Sequence, residues 1–594
     1  MSTQSILKKA SLLLLILAVL TSALIGCAKQ TTPPADPDQN GEKPTASPSE
    51  QEPDPEDDEE PVEITIWAPA GRYTLDDRRD VVPVENDVGL LEEKFNVKLN
   101  FTTVPSEEVR DQVGILLATN SMTDIMLLPG SYDTFLVRPD QMFADGQIID
   151  LKSIEANIPD YMRIINENPV MLKNVMNDAG NIMYFGEPLF EQEIGMSGGL
   201  MIRKDWLDKF DLPLPQSLDD FINALRTFRD NDPNGNGEKD EVPFCGNEGS
   251  LQVIGNLTGI QETFSMVGGP AGEVVFGPAE VEAYKKRLRL IALFAQEKLI
   301  NENYYNFDFQ MRDTWIVEDR IGAALTGLGN LDKWNGMMKD HETFLMWPID
   351  NPAMEDGKRY FDRTDMTKGM KDTITVISTN AERPDKCGEL INYFYTEEGH
   401  MLNTFGVEGI TYVMDGTLPK YTELIVNNPD GLTVGDAQAK YIGIPGMLTY
   451  NDMRVWAQLS LTSPAARQAN IHTWTDTFTI ETNTPIPPAM MDPDDADEYA
   501  DIMADLHTYI LESVAKFTTG EWDIDEKYDE FLNTCINELN AERALELLRK
   551  SVKAWQERGG VPYKYTLKRA EIDYWDKIPL VTEKGVELMD PNLR

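Results

Sequence analysis

The chain has 594 residues, with 53 Lys and Arg against 101 Asp and Glu and a formal net charge of −48. Its first 61 residues hold 4 Lys and 11 acids, so the 533 residues that follow still carry −41. That balance excludes a nucleic-acid binder and docking on anionic lipid through a basic patch, and 41% hydrophobic with 9% aromatic residues excludes a disordered chain.

Residues 1–27 read MSTQSILKKASLLLLILAVLTSALIGC. Lys8 and Lys9 precede an apolar run from Ala10 to about Leu20, which is shorter than the roughly 20 residues a membrane-spanning helix needs. The pattern predicts a secretory signal. Its end, Leu24-Ile25-Gly26-Cys27, resembles the lipobox of bacterial lipoproteins. That resemblance implies a diacylglycerol on the Cys27 thiol and an outer-face lipid anchor as the sole membrane attachment.

Residues 28–61 hold 8 Pro, 11 acids and no large apolar residue, so they are expected to form an extended, self-repelling tether. At roughly 150 residues per domain, the rest suffices for two to four domains' worth of core. Val62–Trp67 alternates apolar with polar and predicts a strand; a helix over 86–95 and a second strand over 97–104 follow. A helix from Ser106 to about Ala118 and a strand over 124–128 complete a strand-helix-strand-helix-strand run, which implies parallel pairing. Short strands are predicted at 181–184 and 200–203, then helices over 205–210 and 217–229, the latter with Ser217 as N-cap. Further on, a helix over 278–297, strands at 321–325, 344–348 and 374–378, a helix from Pro384 to about Phe405, and helices over 492–516, 525–538 and 541–557 are expected. The remaining cysteines, Cys245, Cys387 and Cys535, show no CxxC spacing, which leaves one disulfide or three buried thiols open.

Three segments carry a resemblance: 199–244 (GLMIRKDWLDKF…NGEKDEVPF), 377–409 (ISTNAERPDKCGELINYFYTEEGH…) and 505–532 (DLHTYILESVAKF…). They resemble bacterial extracellular solute-binding proteins, the receptor components of ABC importers, and in particular lipoprotein receptors for alginate oligosaccharides and complex polysaccharides. The resemblance implies an α/β, two-lobed periplasmic-binding-protein-like fold, with parallel-sheet lobes joined by crossover strands and a helical C-terminal region. Lobe 1 is expected over 62–195 and 342–380, lobe 2 over 196–341 and 381–560, with 561–594 as an extension that matches no pattern. It also implies a monomeric, non-catalytic oligosaccharide receptor that closes on its ligand and docks on the transmembrane subunits of an ABC permease. A secreted lyase or hydrolase is the rival reading, and a sensor that presents solute to a membrane kinase is a third.

The loop Asp230–Glu241, DNDPNGNGEKDE, is rich in the hard oxygen donors calcium takes, with glycines for a tight turn. Two frames fit. One uses Asp232, Asn234, Asn236, the Glu238 carbonyl, Asp240 and Glu241; the other starts at Asp230. The first matches the calcium loop of the alginate-binding relatives residue by residue except at Glu238, so a structural Ca2+ is expected there. Sugar rings bury on aromatic faces, and Trp67, Tyr73, Tyr132, Trp334 and Trp347 are candidate ligand contacts by their positions near strand ends, with Trp474 a looser one. Arg72 is a candidate for a sugar carboxylate, and Arg203 is weighed with it. The four histidines, His341, His400, His472 and His507, stand far apart in sequence, and no HExxH, GxSxG or phosphate-loop motif is present, so no catalytic residue is expected. The acids of Asp492–Asp501 read as a helix start.

Overall fold

The computed structural model describes residues 60–69, 87–105, 108–129, 139–167, 169–177, 179–188, 198–307, 309–363, 370–416, 418–432, 434–443, 447–450, 452, 454–455, 463–469, 473–474, 478–487, 489 and 491–557. The expectations for the signal, Cys27, the tether and 561–594 lie outside them.

Alternation of buried and exposed side chains makes Val97–Val104 a strand with one face on a core, and it runs parallel to Val62–Pro69, Val62 opposite Val97 through Pro69 opposite Val104. Val62–Pro69 also pairs in parallel with Ile125–Pro129. The helices Asp87–Phe95 and Val109–Thr119 bridge these strands, as their helical spacing predicts. The sheet is completed by Met370–Ile377, antiparallel to Ile125–Pro129, and by Phe185–Pro188 at the edge. Each fully buried Ile, Leu or Phe contributes about 1.5–3 kcal/mol, and Ile66, Ile125, Leu128, Phe185 and Val376 are all wholly buried here.

The second sheet has the order Met346–Ile349, Gly198–Arg203, Ile321–Gly327, Val242–Cys245. Only its last pair is parallel; the other two are antiparallel. Both sheets are therefore mixed, where parallel lobes were expected. Helix Leu218–Asp230 covers this sheet through Phe221, Leu225 and Phe228. Ser217 caps it: its side chain accepts from Asp220 N while the Asp220 carboxylate accepts from Ser217 N.

Two expected boundaries differ. Met346–Ile349, within the span expected for lobe 1, pairs with Leu200–Arg203 of the second sheet. Pro384–Tyr393, within the span expected for lobe 2, packs Cys387, Leu390 and Ile391 into the core of the first sheet. Strand partners and helix faces are chosen by contacts far away in sequence, which a linear division does not contain. The predicted strand at 181–184 is a single bridge at Ile182, and the strand starts at Phe185.

The C-terminal helices Pro493–Thr519, Ile524–Asn533 and Ala541–Trp555 form a separate cluster with Val281–Gln296 and the hairpin strands Phe264–Val267 and Glu273–Phe276. Asp492 and Asp495 lie against Lys550, at 3.2 and 2.6 Å, so the acids at that helix start are a solvated ion cluster. Cys245, Cys387 and Cys535 are buried free thiols, each pushed up to about 12 by burial. Among the described residues no helix is long and apolar enough to cross a membrane.

Candidate functional site

At one end of the second sheet lies a cavity of about 250 Å³. Its walls are the start of strand Gly198–Arg203, the end of strand Ile321–Gly327, the end of helix Glu248–Asn256, the segment Asn351–Arg363, and Thr473 with Trp474. Trp474 is held edge-on to the sheet, its Nε1 donating to the carbonyls of Leu200 (3.1 Å) and Ile349 (3.2 Å). Gly199 makes that approach possible, because a Cβ there would sit 2.6 Å from the indole.

The polar wall is built by interlocking amides. Asp362 accepts from Asn256 Nδ2 at 2.7 Å and from Gln261 Nε2 at 2.9 Å, and burial raises its carboxyl above the usual range. Asn483 clamps the next residue from both sides, accepting from Arg363 N at 2.8 Å and donating to Arg363 O at 2.7 Å. Arg363 Nη1 then reaches Gly198 O at 3.4 Å. Thr326 accepts from Asn330 Nδ2 at 2.7 Å. Indole, Tyr360 and Phe361 rings beside amide, carboxylate, guanidinium and hydroxyl groups suit a hydroxyl-rich ring with apolar faces.

The expected aromatic contacts fall elsewhere. Trp67 is buried in the core of the first sheet, and Trp334 and Trp347 are buried beneath the second. Trp334 donates to Asp313 Oδ1 at 3.0 Å. None of the three lines the cavity; large indoles near strand ends satisfied the packing demand of the sheets instead. Arg72, Tyr73 and Tyr132 lie outside the described residues. Arg203 is fully buried, doubly bonded to Asp205 (2.8 and 2.7 Å) and paired with Asp319 at 2.5 Å, between the rings of Trp206 and Phe344. Trp474, the looser candidate, is the one at the cavity, together with Asn256, Thr326, Tyr360, Asp362 and Arg363, which the sequence did not single out.

The Asp230–Glu241 loop is organised around Asp232. Its carboxylate accepts from the backbone N–H of Gly235 (2.7 Å), Asn236 (3.1 Å) and Gly237 (3.0 Å), and both glycines have positive φ, 76° and 83°. Asn234 Oδ1 accepts from Asn236 N, and Asn236 Oδ1 from Glu238 N. This turn favours the frame that begins at Asp232; Asp230 is instead paired with Arg229 at 2.7 Å. Amide groups of Asn236 and Asn234 lie 3.1 and 3.5 Å from Asp240 Oδ1, and Arg320 lies 3.1 Å from Oδ2. Glu241 Oε1 is buried without a hydrogen-bond partner, and burial, then Asp240 and Asp232, raise its carboxyl. The donor types of this loop, carboxylate, amide and carbonyl oxygen, are those a hard cation takes, but among the described residues no three His, Cys, Asp or Glu side chains are grouped to hold a metal.

A constellation the sequence hid is His400. Its Nδ1 lies 2.7 Å from Thr449 Oγ1 and its Nε2 2.8 Å from Asp452 Oδ2, with Tyr450 stacked 3.6 Å away. The residue types are those of a nucleophile-base-acid relay. The Thr449 hydroxyl, however, donates to Phe394 O at 2.7 Å, and Thr449, His400 and Asp452 are all buried. A buried hydroxyl whose proton is spent on a carbonyl is a tie between helices, not a nucleophile.

No protein-family model matches the chain. The curated relatives are substrate-binding proteins and a lipoprotein. The chain is 26% identical over 49% of its length to the fructooligosaccharide ABC transporter substrate-binding protein FusA of Streptococcus pneumoniae, covering 54% of that protein. It is 23% identical over 56% of its length to the polygalacturonan/rhamnogalacturonan-binding protein YtcQ of Bacillus subtilis, covering 64% of it. It is 22% identical over 59% of its length to Lipoprotein LipO of the same organism, covering 68%. The chain thus spans between about half and two thirds of these relatives. Among solved structures, alginate-binding protein AlgQ2 without calcium ion superposes with a TM-score of 0.67 at 19% identity, over 83% of this chain and 98% of that one. An EF-hand mutant of Streptococcus pneumoniae FusA with fructo-nystose superposes with a TM-score of 0.65 at 18% identity, over 83% and 99%. The fold is that of the two-lobed solute-binding proteins of ABC transporters.

Proposed function

We propose that this chain is an extracellular, lipid-anchored receptor that binds an oligosaccharide and delivers it to the transmembrane subunits of an ABC import permease. The observation that carries the reading is the cavity beside Trp474, an aromatic and polar pocket on a solute-binding fold. The names of FusA and YtcQ, both saccharide binders, support the same ligand class and favour a receptor over a secreted lyase or hydrolase. Arg72, Tyr73 and Tyr132 follow strands of the first sheet and are proposed to complete the ligand's contacts from that lobe. Cys27 carries the anchor, in keeping with a relative named as a lipoprotein. Asp232, Asn234, Asn236, the Glu238 carbonyl, Asp240 and Glu241 hold a structural Ca2+, in keeping with an EF-hand in FusA; the ion fastens the turn after helix Leu218–Asp230 and takes no part in sugar contact.

Isothermal titration of the mature chain with an oligosaccharide panel, run beside a reducing-end assay, tests the proposal. Saturable one-to-one binding without new reducing ends is expected. Turnover without stoichiometric binding would sink it.

A further inference from the structure

Asp362 borders the cavity, and each of its carboxylate oxygens accepts from one neutral amide: Oδ1 from Gln261 Nε2 and Oδ2 from Asn256 Nδ2. An ionised carboxylate has about four lone-pair sites, so both oxygens keep capacity for ligand hydroxyls. Burial opposes that ionisation, and amides supply no counter-charge. Two cations act on Asp362. One is Arg363, its chain neighbour, which has partners of its own. The other is Arg287, from helix Val281–Gln296, which does not line the cavity.

Arg287 is wholly buried against the Tyr284 ring. One guanidinium nitrogen bonds the neutral Gln252, while Nε and Nη1 have no hydrogen-bond partner. Its stem runs along the end of helix Glu248–Asn256, where a Cβ on Gly255 would stand 3.2 Å from Arg287 Cγ. The next residue is Asn256, whose amide nitrogen holds Asp362 and whose Oδ1 is buried without a partner. The other titratable groups around this arginine are Glu262, which acts on the same Tyr284, and beyond it Glu248 and His507. A guanidinium stays charged at any working pH. Buried with no carboxylate bonded to it among the described residues, it is costly unless its charge offsets another. A carboxylate held by amides has the converse need. Each group supplies what the other lacks.

Resting on the receptor reading above, we propose that Arg287 is a positioning residue for ligand binding: from behind the wall, without touching ligand, it supplies the counter-charge that lets Asp362 accept ligand hydroxyls as a carboxylate, and Gln252 holds the guanidinium in place. Its field reaches Asp362 because charges within the protein interior are screened far less than charges in water.

The test is calorimetric titration of the mature chain with fructo-oligosaccharides and with oligogalacturonates, from about pH 5 to about pH 8. Asp362→Asn keeps the shape and removes the charge; it should bind about tenfold more weakly, with a flatter pH profile. Arg287→Gln should show a similar loss at neutral pH and recover as pH rises, because without the cation Asp362 takes its proton at higher pH. Arg287→Lys, which keeps the charge, should restore most of the affinity. Gln252→Glu keeps the arginine but pairs it with a new carboxylate, which cancels its charge at Asp362. The melting temperature should then hold while affinity and pH profile move as in Arg287→Gln. In an Asp362→Asn background neither Arg287→Gln nor Gln252→Glu should weaken binding further, which a merely structural role would not give. Unchanged affinity and pH profile in a Gln252→Glu protein of parental melting temperature overturns the assignment. So does a loss of the same size in the Asp362→Asn background. Either result leaves the receptor reading standing. If neither saccharide binds at any pH, the receptor reading falls and this inference falls with it.

Discussion

Glu241→Gln should change the sign of its effect with the cation present. Glu241 Oε1 is buried without a hydrogen-bond partner, and burial, then Asp240 and Asp232, hold its carboxyl above the usual range. A carboxyl raised in the folded state binds its proton more tightly there. Its ionisation, as pH rises through that range, therefore subtracts from stability at neutral pH. In EDTA the neutral amide relieves this repulsion, so Glu241→Gln should melt slightly higher than the parent; the group is partly solvated, which keeps the gain small. With calcium the order reverses, because the parent gains the ion's linkage energy and the variant has lost an anionic ligand. At 100 times the dissociation constant that linkage is about 2.7 kcal/mol. A lobe of about 150–250 residues shifts by about 2–4 °C per kcal/mol, so the parent's second-lobe transition should rise by about 5–11 °C. Magnesium should do less, since it demands a smaller, near-octahedral shell. Differential scanning calorimetry in EDTA, magnesium and calcium reads all of this. The reasoning is refuted if the parent melts identically in EDTA and calcium, or if Glu241→Gln lowers melting equally in both.

Gly199→Ala should destabilise by about 1–3 kcal/mol through overpacking, because the new Cβ meets the Trp474 ring at 2.6 Å; it should also weaken saccharide binding, and an unchanged denaturation midpoint would contradict the packing described. Although burial acts against ionisation, hydrogen bonds from His400 and Arg454 hold Asp452 down to about 2. Its contribution is therefore present above the unfolded carboxylate range and lost as pH falls from about 4 towards 2, and Asp452→Asn should flatten the acid limb of a stability-versus-pH curve over that window. Cys27→Ser should release the protein into the medium or leave the signal uncut; a mature N-terminus without a diacylglycerol adduct in mass spectra of the parent would contradict the anchor.

What the sequence determined by itself was local. Alternation over Val62–Trp67 and Val97–Val104 marks strands because side chains on a pleat alternate faces, and these segments do pair in parallel. Ser217 with Asp220 marks a helix start because both groups satisfy backbone donors three residues apart. The Asp232–Glu241 turn was legible for the same reason: its donors fall within ten residues, and the glycines that let it fold lie among them. Only the tertiary structure decided the rest. Met346–Ile349 is four residues long, and its partner lies more than 140 residues earlier, so nothing local assigns it to a sheet. An indole near a strand end reads the same whether it packs a core or borders a cavity; Trp474 is as buried as Trp347, and only the packing of distant segments puts it, and not Trp67, Trp334 or Trp347, on the cavity wall. The cavity itself gathers Gly199, Asn256, Thr326, Asp362 and Trp474 from five separated segments, and the charge of Arg287 is added from behind. That convergence is a property of how the chain is packed, with no spacing in the sequence to announce it.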